Sequence, residues 1–389
     1  MSIRSKLGRL KILEVHNVGL SRTAVYLLAD YLETRAHTLV HLAYPTVASR
    51  NRSAIYEVRG TASPARVKMS RPRLGPGYIR ALAWYAYQIF RLKEHFDIMI
   101  AGDEMNAALG LLLKRMGFTN LVVFYSIDFH PTFRDNPLTN GLILGLGNLV
   151  TRHSDFVWNI SDRCMLARMR QGGPPENCVV VPHGVSRIPA EYTEPKYTHR
   201  LVFAGSLTEE KGIQLMLEAL ACLTEEFNDV TFVVIGSGPF ESQLKLLARQ
   251  YGVEKHVEFE GFVKEDIKAS LVRESAIAVA TYCPPGPNSY LYYAFPAKLV
   301  EYLALGVPVV CTELGIAEKI RTHNAGVVVN YSKEDLVNTI RSLFLDSGRL
   351  EEMGRNALRL GAQYQADFLF DRGFVPVVNR LTLQNTKEV

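Results

Sequence analysis

At 389 residues, with 48% hydrophobic and 21% charged positions, the chain is long enough for about two domains, each with its own core, and its composition excludes a disordered polymer. A net charge of +5 is too small to argue for a nucleic-acid partner; it leaves anionic phosphates, an anionic membrane surface or plain solvation open. No run reaches the ~20 apolar residues that cross a bilayer, and the basic start, Met1 to Leu10, lacks the apolar core of an export signal. The five cysteines, Cys164, Cys178, Cys222, Cys283 and Cys311, form neither a Cys-x-x-Cys pair nor a His/Cys cluster suited to zinc. Reduced thiols in a cytoplasmic protein are the expectation.

Lys11 to Val15 predicts a strand, followed by a loop with Gly19 and Ser21 and a helix over Thr23 to Thr34. Apolar runs at Leu39 to Leu42, Phe96 to Ala101, Leu121 to Tyr125, Phe156 to Ile160 and Cys178 to Val181 predict further strands separated by helical periods. Such alternation implies a mainly parallel sheet covered by helices. The polar, proline-containing stretch Ser186 to His199 breaks the pattern and predicts a linker over 188–199, between a first domain of residues 1–187 and a second of residues 200–365. There the pattern restarts, with strands at Leu201 to Ala204, Val230 to Ile235 and Val257 to Glu260, and helices at Ile213 to Thr224 and Glu241 to Gln250. Ile277 to Thr281, Pro308 to Cys311 and Gly326 to Val329 supply later strands. Residues 366–389 predict a C-terminal helix packing back toward the first domain, with the last six residues frayed. The expected fold class is α/β: two Rossmann-like, doubly wound domains whose strand ends face each other across a cleft.

Lys298 and Glu301 stand three apart in Phe295-Pro-Ala-Lys-Leu-Val-Glu-Tyr-Leu-Ala-Leu-Gly-Val-Pro308. A proline-led helix start projects both from one face of its first turns, where the helix N-terminus already attracts phosphate. A nucleoside diphosphate sugar needs both functions, a cation for phosphate and a carboxylate for ribose hydroxyls; the alternative is an exposed ion pair. Gly205-Ser-Leu-Thr-Glu-Glu-Lys-Gly212 has the form of an anion seat, with Lys211 as its cation, or of a plain surface turn. Gly236-Ser-Gly238 suits a strand-to-helix turn, but Glu241 occupies the third glycine of a nicotinamide fingerprint, so a dehydrogenase is disfavoured.

The order of these motifs resembles the retaining glycosyltransferases of family 4, glycosyl transferases group 1, which have the two-domain GT-B fold. The resemblance rests on Ala204-Gly205 with Lys211-Gly212, Gly236-Ser-Gly238-Pro239, Phe259-Glu-Gly-Phe-Val263, the Pro296 to Pro308 segment and Ala325-Gly326. It extends more weakly into the first domain through Ala36-His37, Trp158-Asn-Ile-Ser161 and Val181-Pro-His-Gly184-Val185. It implies that Lys211 and Lys298 neutralise a donor diphosphate, beside Gly205, Ser206, Gly236 and Leu299, and that Glu301 binds ribose. It further implies that Phe262 and Val263 border the base, that Gly19 approaches the diphosphate from the first domain, and that no metal or other cofactor is required. A hexosyl group would pass from a nucleoside diphosphate sugar to a lipid-linked or saccharide acceptor with its anomeric configuration kept. Two departures stand out: Tyr293 occupies the place of a glutamate, eight positions before Glu301, and Ser206 that of an arginine. They keep two alternatives open, a GT-B nucleotide-sugar epimerase and a non-catalytic sugar-nucleotide-binding protein.

In the first domain, Tyr125-Ser-Ile-Asp-Phe-His-Pro131 places Asp128 and His130 at a strand end, as candidates to orient the transferred sugar or as turn caps. His16 and Asn17 are candidates to meet the acceptor, whereas the adjacent carboxylates Asp103 and Glu104 are expected to point apart. Arg66, Lys68, Arg71, Arg73, Arg80, Arg91 and Lys93 surround Tyr78, Trp84, Tyr85, Tyr87 and Phe90. That pattern has two readings, peripheral contact with an anionic membrane face or a core helix with charged ends.

Overall fold

The computed structural model describes residues 2–18, 24–45, 54–62, 66–70, 77–131, 137–286 and 289–385. The chain folds as two compact units. Unit 1 comprises Met1–Gly184, Asn288–Ala294 and Ala366–Val389; unit 2 comprises Val185–Pro287 and Phe295–Gln365.

Unit 1 holds β1 (Lys11–Val18), β2 (Thr38–Pro45), β3 (Ala54–Arg59), β4 (Arg66–Ser70), β5 (Phe96–Ala101), β6 (Thr119–Ser126), β7 (Phe156–Asn159) and β8 (Cys178–Val180). They form one sheet in the order β4-β3-β2-β1-β5-β6-β7-β8. The run from β2 to β8 is parallel, while β3 pairs antiparallel with β2 and β4. Strands such as Phe96–Ala101 and Phe156–Asn159 are apolar almost throughout because helices cover both faces of a parallel sheet. On one face the C-terminal helix Ala366–Asn385 buries Phe370, Phe374 and Val377 against Tyr31 and Trp158. On the other, helix Tyr78–Leu92 buries Ala81, Tyr85 and Ile89, four residues apart, against Leu13, Val15 and Phe96.

The β3–β4 extension was absent from the sequence expectation. Its residues, Ala54-Ile-Tyr-Glu-Val-Arg59 and Arg66-Val-Lys-Met-Ser70, carry charges at alternate positions, as befits strands at the edge of a sheet, and so do not stand out as apolar runs. Arg66 and Lys68, read as flanks of an aromatic helix, belong to β4; Arg71 and Arg73 lie outside the described residues.

Unit 2 holds β9 (Tyr197–Ala204), β10 (Thr231–Ile235), β11 (Val257–Gly261), β12 (Ser275–Ala280), β13 (Val309–Cys311) and β14 (Gly326–Val328). The sheet order is β11-β10-β9-β12-β13-β14 and every pairing is parallel. This is the doubly wound order 3-2-1-4-5-6, in which the winding reverses between the first and fourth strands, here β9 and β12. Helices Ile213–Leu223 and Lys333–Phe344 cover one face through Met216, Leu220, Leu336 and Ile340. Two boundaries differ from expectation. β9 begins at Tyr197, inside the stretch expected as linker, and Asn288–Ala294 belongs to unit 1 although it lies within residues 200–365.

Candidate functional site

Ligands of doubly wound sheets bind beyond the strand ends where the winding reverses. In unit 2 the turns after β9 and β10 interlock there. The Gly205 N–H donates to Ile235 O at 2.8 Å, Gly236 N–H to Gly261 O at 2.7 Å, and Leu207 N–H to Ser237 O at 3.1 Å. Gly205 (φ 151°) and Gly236 (φ 128°) adopt backbone conformations that side chains disfavour. A Cβ on Gly236 would lie 1.9 Å from Gly205 O, and one on Gly205 would lie 2.2 Å from Lys298 Nζ. The glycines therefore make room for each other and for an ammonium group.

Lys298 sits in the first turn of helix Ala297–Ala304. That helix is pinned to β9 by Tyr302, whose buried hydroxyl accepts from Ala204 N–H at 2.7 Å and lies 3.3 Å from Ala204 O as donor. The Lys298 Nζ lies 3.9 Å from the centroid of the Phe203 ring and 5.5 Å from that of Tyr282, buried and without a hydrogen-bond partner. Burial, followed by the positive charge of Lys211, holds its amine well below the usual lysine range. Lys211 is itself buried, 3.1 Å from a Glu210 carboxylate oxygen and 4.8 Å from the Tyr282 ring centroid. A buried amine depressed by a second buried cation and lacking any acceptor makes a site that an anion completes.

Glu301 is not an isolated carboxylate. Lys268 reaches it at 2.8 Å and Glu265 at 2.7 Å; burial works to lower the Lys268 pKa, but the two carboxylates outweigh it and raise the value. Lys268 was missed in the sequence because it lies 33 residues away on another helix. Leu299 requires a correction: its side chain is fully buried and its N–H donates to Pro296 O at 3.1 Å, so it supports the helix instead of facing a ligand. Ser206 is exposed, and so is Phe262, which follows Gly261 with 88% of its surface accessible. Val263 is half-buried. Gly19 lies outside the described residues. A separate groove of about 590 Å³, lined by Glu209, Gln214, Glu218, Phe240 and Tyr331, contains neither Lys211 nor Lys298 and is acidic, so it does not suit a diphosphate.

In unit 1, Asp128 and His130 follow β6. The His130 ring stacks on Tyr290 with centroids 5.1 Å apart, and Phe129 meets the Tyr293 ring at 4.6 Å. The Ser161 hydroxyl donates to Tyr293 O at 2.6 Å and Arg163 donates to Tyr292 O at 3.3 Å. Those carbonyls, and the Tyr293 ring, are thus committed within the unit. Asp128 presents an exposed side chain. Its turn is held by Arg168, a buried cation absent from the sequence reading, which pairs with Glu104 at 2.6 Å, donates to Ser126 Oγ at 2.9 Å and reaches Asp128 O at 3.5 Å. Asp103 and Glu104 do diverge: Asp103 caps the helix Glu104–Arg115 and accepts from Asn17 at 2.5 Å. His16, expected at an acceptor surface, is buried beside Tyr26 and His41. Among the described residues, Glu14, His16 and His41 form a group of metal-ligand composition that neighbouring strands bring together.

Residues 185–359 match the family model described as Glycosyl transferases group 1. The matched segment contains Lys211, Lys268, Lys298 and Glu301. WcaL of Escherichia coli, a glycosyltransferase named for colanic acid biosynthesis, is 30% identical over 183 residues, which cover 46% of this chain and 44% of that protein. The chain thus spans under half the length of that relative. The phosphatidyl-myo-inositol mannosyltransferase of Mycobacterium tuberculosis is 25% identical over 319 residues, 79% of this chain and 78% of that protein. Among solved structures, Anabaena Alr3699/HepE in complex with UDP-glucose superposes with a TM-score of 0.65 at 19% identity, covering 98% of this chain and 100% of that one. Sucrose-phosphate synthase from Thermosynechococcus elongatus gives 0.68 at 14% identity, covering 97% of this chain and 100% of that one. The fold is GT-B, with two Rossmann-like units.

Proposed function

We propose that the chain is a retaining glycosyltransferase of family 4 that moves a hexosyl group from a nucleoside diphosphate sugar to a lipid-linked or saccharide acceptor. The observation that carries the reading is the buried, unpartnered Lys298 amine over Gly205, beside Lys211, at the strand ends where the unit 2 winding reverses. In this reading the leaving diphosphate gains negative charge as the glycosidic bond breaks, and Lys298 and Lys211 stabilise it from fixed positions without needing a metal. Their preorganisation matters because Tyr302 already holds the helix against β9 before any ligand arrives. Glu301, oriented by Lys268, accepts from ribose hydroxyls, and exposed Phe262 offers a face to the base. In unit 1, Asp128 or His130 is the candidate to orient a sugar hydroxyl. The Alr3699/HepE complex with UDP-glucose and the mannosyltransferase relative support a sugar-nucleotide donor.

A thermal-shift screen of the full chain against UDP-, GDP- and ADP-sugars tests this, since a donor that binds the native state raises its melting temperature. One clear stabiliser, followed by product formation with a saccharide or lipid-linked acceptor, is the expected result; no stabilisation by any sugar nucleotide would overturn the reading. A second reading, donor binding without turnover, is favoured by Tyr293, whose carbonyl and ring are taken up by Ser161 and Phe129 where the family pattern has a carboxylate. Binding without product across a broad acceptor panel would select it.

A lipid-linked acceptor would be met at an anionic cytoplasmic membrane face by helix Tyr78–Leu92, which exposes Ile79 (79%), Tyr87 (59%) and Phe90 (43%) alongside Arg80 and Arg91. Flotation with anionic vesicles is expected to carry the protein, and I79D to abolish it. Among the described residues no helix is long and apolar enough to cross a membrane.

A further inference from the structure

In unit 1, β1 and β2 run parallel in a register that sets Glu14 opposite His41 and His16 opposite Ala43. Residues two apart on a strand share a face, so Glu14 and His16 project to the side on which His41 also stands. All three are sealed from solvent, at 0%, 2% and 1% exposure. His41 Nδ1 lies 3.0 Å from Glu14 Oε2. The second oxygen, Glu14 Oε1, and both ring nitrogens of His16 have no hydrogen-bond partner. The His16 and His41 rings are 4.8 Å apart at 58°, and one donor atom from each residue lies within 4.8 Å of the others. The walls are close: a Cβ on Gly102 would lie 2.9 Å from His16 Cβ.

Buried polar atoms without partners each cost on the order of 1–3 kcal/mol. Here unpartnered atoms of Glu14 and His16 stand beside His41, and one donor atom from each of the three residues lies within 4.8 Å of the others. We propose that Glu14, His16 and His41 bind one divalent transition-metal ion of the zinc class, tying β1 to β2. One carboxylate and two imidazoles form a donor set that zinc, cobalt and ferrous iron accept, whereas magnesium and calcium prefer oxygen alone. Zinc bonds of about 2.0–2.1 Å would set tetrahedral donors roughly 3.4 Å apart. The ion is a structural clamp, separate from the lysine site of unit 2, so its presence or absence does not bear on the donor reading.

The test uses the full chain, stripped by a chelator and titrated with Co2+ alone. One equivalent is expected to bind, with the visible absorption of a low-coordinate nitrogen and oxygen site, and Zn2+ is expected to displace it and raise the melting temperature. H16Q and E14Q are each expected to weaken Co2+ binding at least about tenfold. X-ray absorption of the zinc-loaded wild-type protein, which needs no variant to fold, is expected to show two imidazoles and one carboxylate. The proposal is overturned by no stoichiometric binding, as when the pocket holds only a buried water; by binding that H16Q and E14Q leave unchanged; or by a sulfur-ligated or fully aquated ion.

Discussion

Replacing Lys298 with Met is expected to raise stability and weaken donor binding together. In the free protein Nζ is buried, 3.9 Å from the Phe203 centroid, with no acceptor. A buried donor without a partner costs about 1–3 kcal/mol. The ring offsets some of that, up to about 2 kcal/mol for a desolvated cation, but burial and Lys211 push the amine toward its neutral form, in which the attraction fades. Methionine fills a similar slot with an apolar end. A net gain of about 1 kcal/mol follows, or roughly 2–4 °C for a unit of this size. In the complex, a charge-assisted hydrogen bond to phosphate is worth about 1.5–3 kcal/mol, so K298M is expected to raise Kd by roughly 10- to 150-fold. The same geometry sets a pH dependence. The depressed amine must take up a proton when a diphosphate binds, which raises its pKa in the complex; affinity is greatest below the free-state pKa and falls as pH rises through it. Titration calorimetry in buffers of different ionisation enthalpy is expected to show proton uptake by the wild-type protein and none at this group in K298M. A folded K298M with unchanged Kd, or one that melts lower than wild type, would refute the reasoning, because Nζ would then be either irrelevant to the ligand or already satisfied.

G205A places a methyl 2.2 Å from Nζ at φ 151° and is expected to lower stability by about 1–2 kcal/mol and donor affinity at least about tenfold; in calorimetry on the G205A/K298M pair the affinity losses are expected not to add, since both displace one ammonium. E301Q is expected to weaken sugar-nucleotide binding about tenfold, whereas K268M, which removes only a partly exposed partner, changes stability by less than about 1 kcal/mol and binding by less than about threefold; melting curves and calorimetry compare the two. Burial is the main cause that pushes the Asp103 carboxyl up to about 7, against the Asn106 N–H and with the charge of Glu104. The folded protein therefore keeps a proton there that the unfolded chain sheds near pH 4, and the contribution is fully present below about pH 4 and lost as pH rises through about 7. Partial exposure reduces the full linkage to a loss of about 1–2 kcal/mol, and D103N, which keeps the helix cap, is expected to flatten that part of the stability curve in urea melts across this range.

The strands of unit 2 were legible because each is a short apolar run ended by glycine, as at Ala204-Gly205 and Ile235-Gly236, where the sheet is buried on both faces and the turns must pass close to one another. Lys298 and Lys211 stood out in the sequence for the same reason, a cation next to such a turn, and the fold places both amines beside it, buried. The β3–β4 extension was not legible, because strands at and next to a sheet edge with charges at alternate positions have no apolar signature. Nor were Lys268, Arg168 or the trio of Glu14, His16 and His41. Their meaning arises only from strand register and helix packing, which join positions dozens of residues apart. Leu299 lies in the core because successive residues on a helix turn about 100° apart, which carries it away from the face of Lys298.

The two units treat equivalent strand ends differently, and the contrast decides where an anion can bind. In unit 1 the winding reverses between β1 and β5; there the His16 ring is sealed from solvent, and the groups nearest the strand ends are already paired: Asn17 donates to Asp103, Tyr85 donates to His16 O at 2.7 Å, and Gly102 N–H donates to Val15 O at 3.0 Å. A phosphate arriving at those groups would displace hydrogen bonds before making its own. In unit 2 the corresponding turn spends its backbone groups on the neighbouring turn and leaves the Lys298 amine without an acceptor. A ligand gains most where the free protein is least satisfied, because the amine is already desolvated in the fold and its protonation and its attraction to an anion are realised together on binding. The stability that K298M restores and the affinity it removes are therefore two measurements of one unpaired amine.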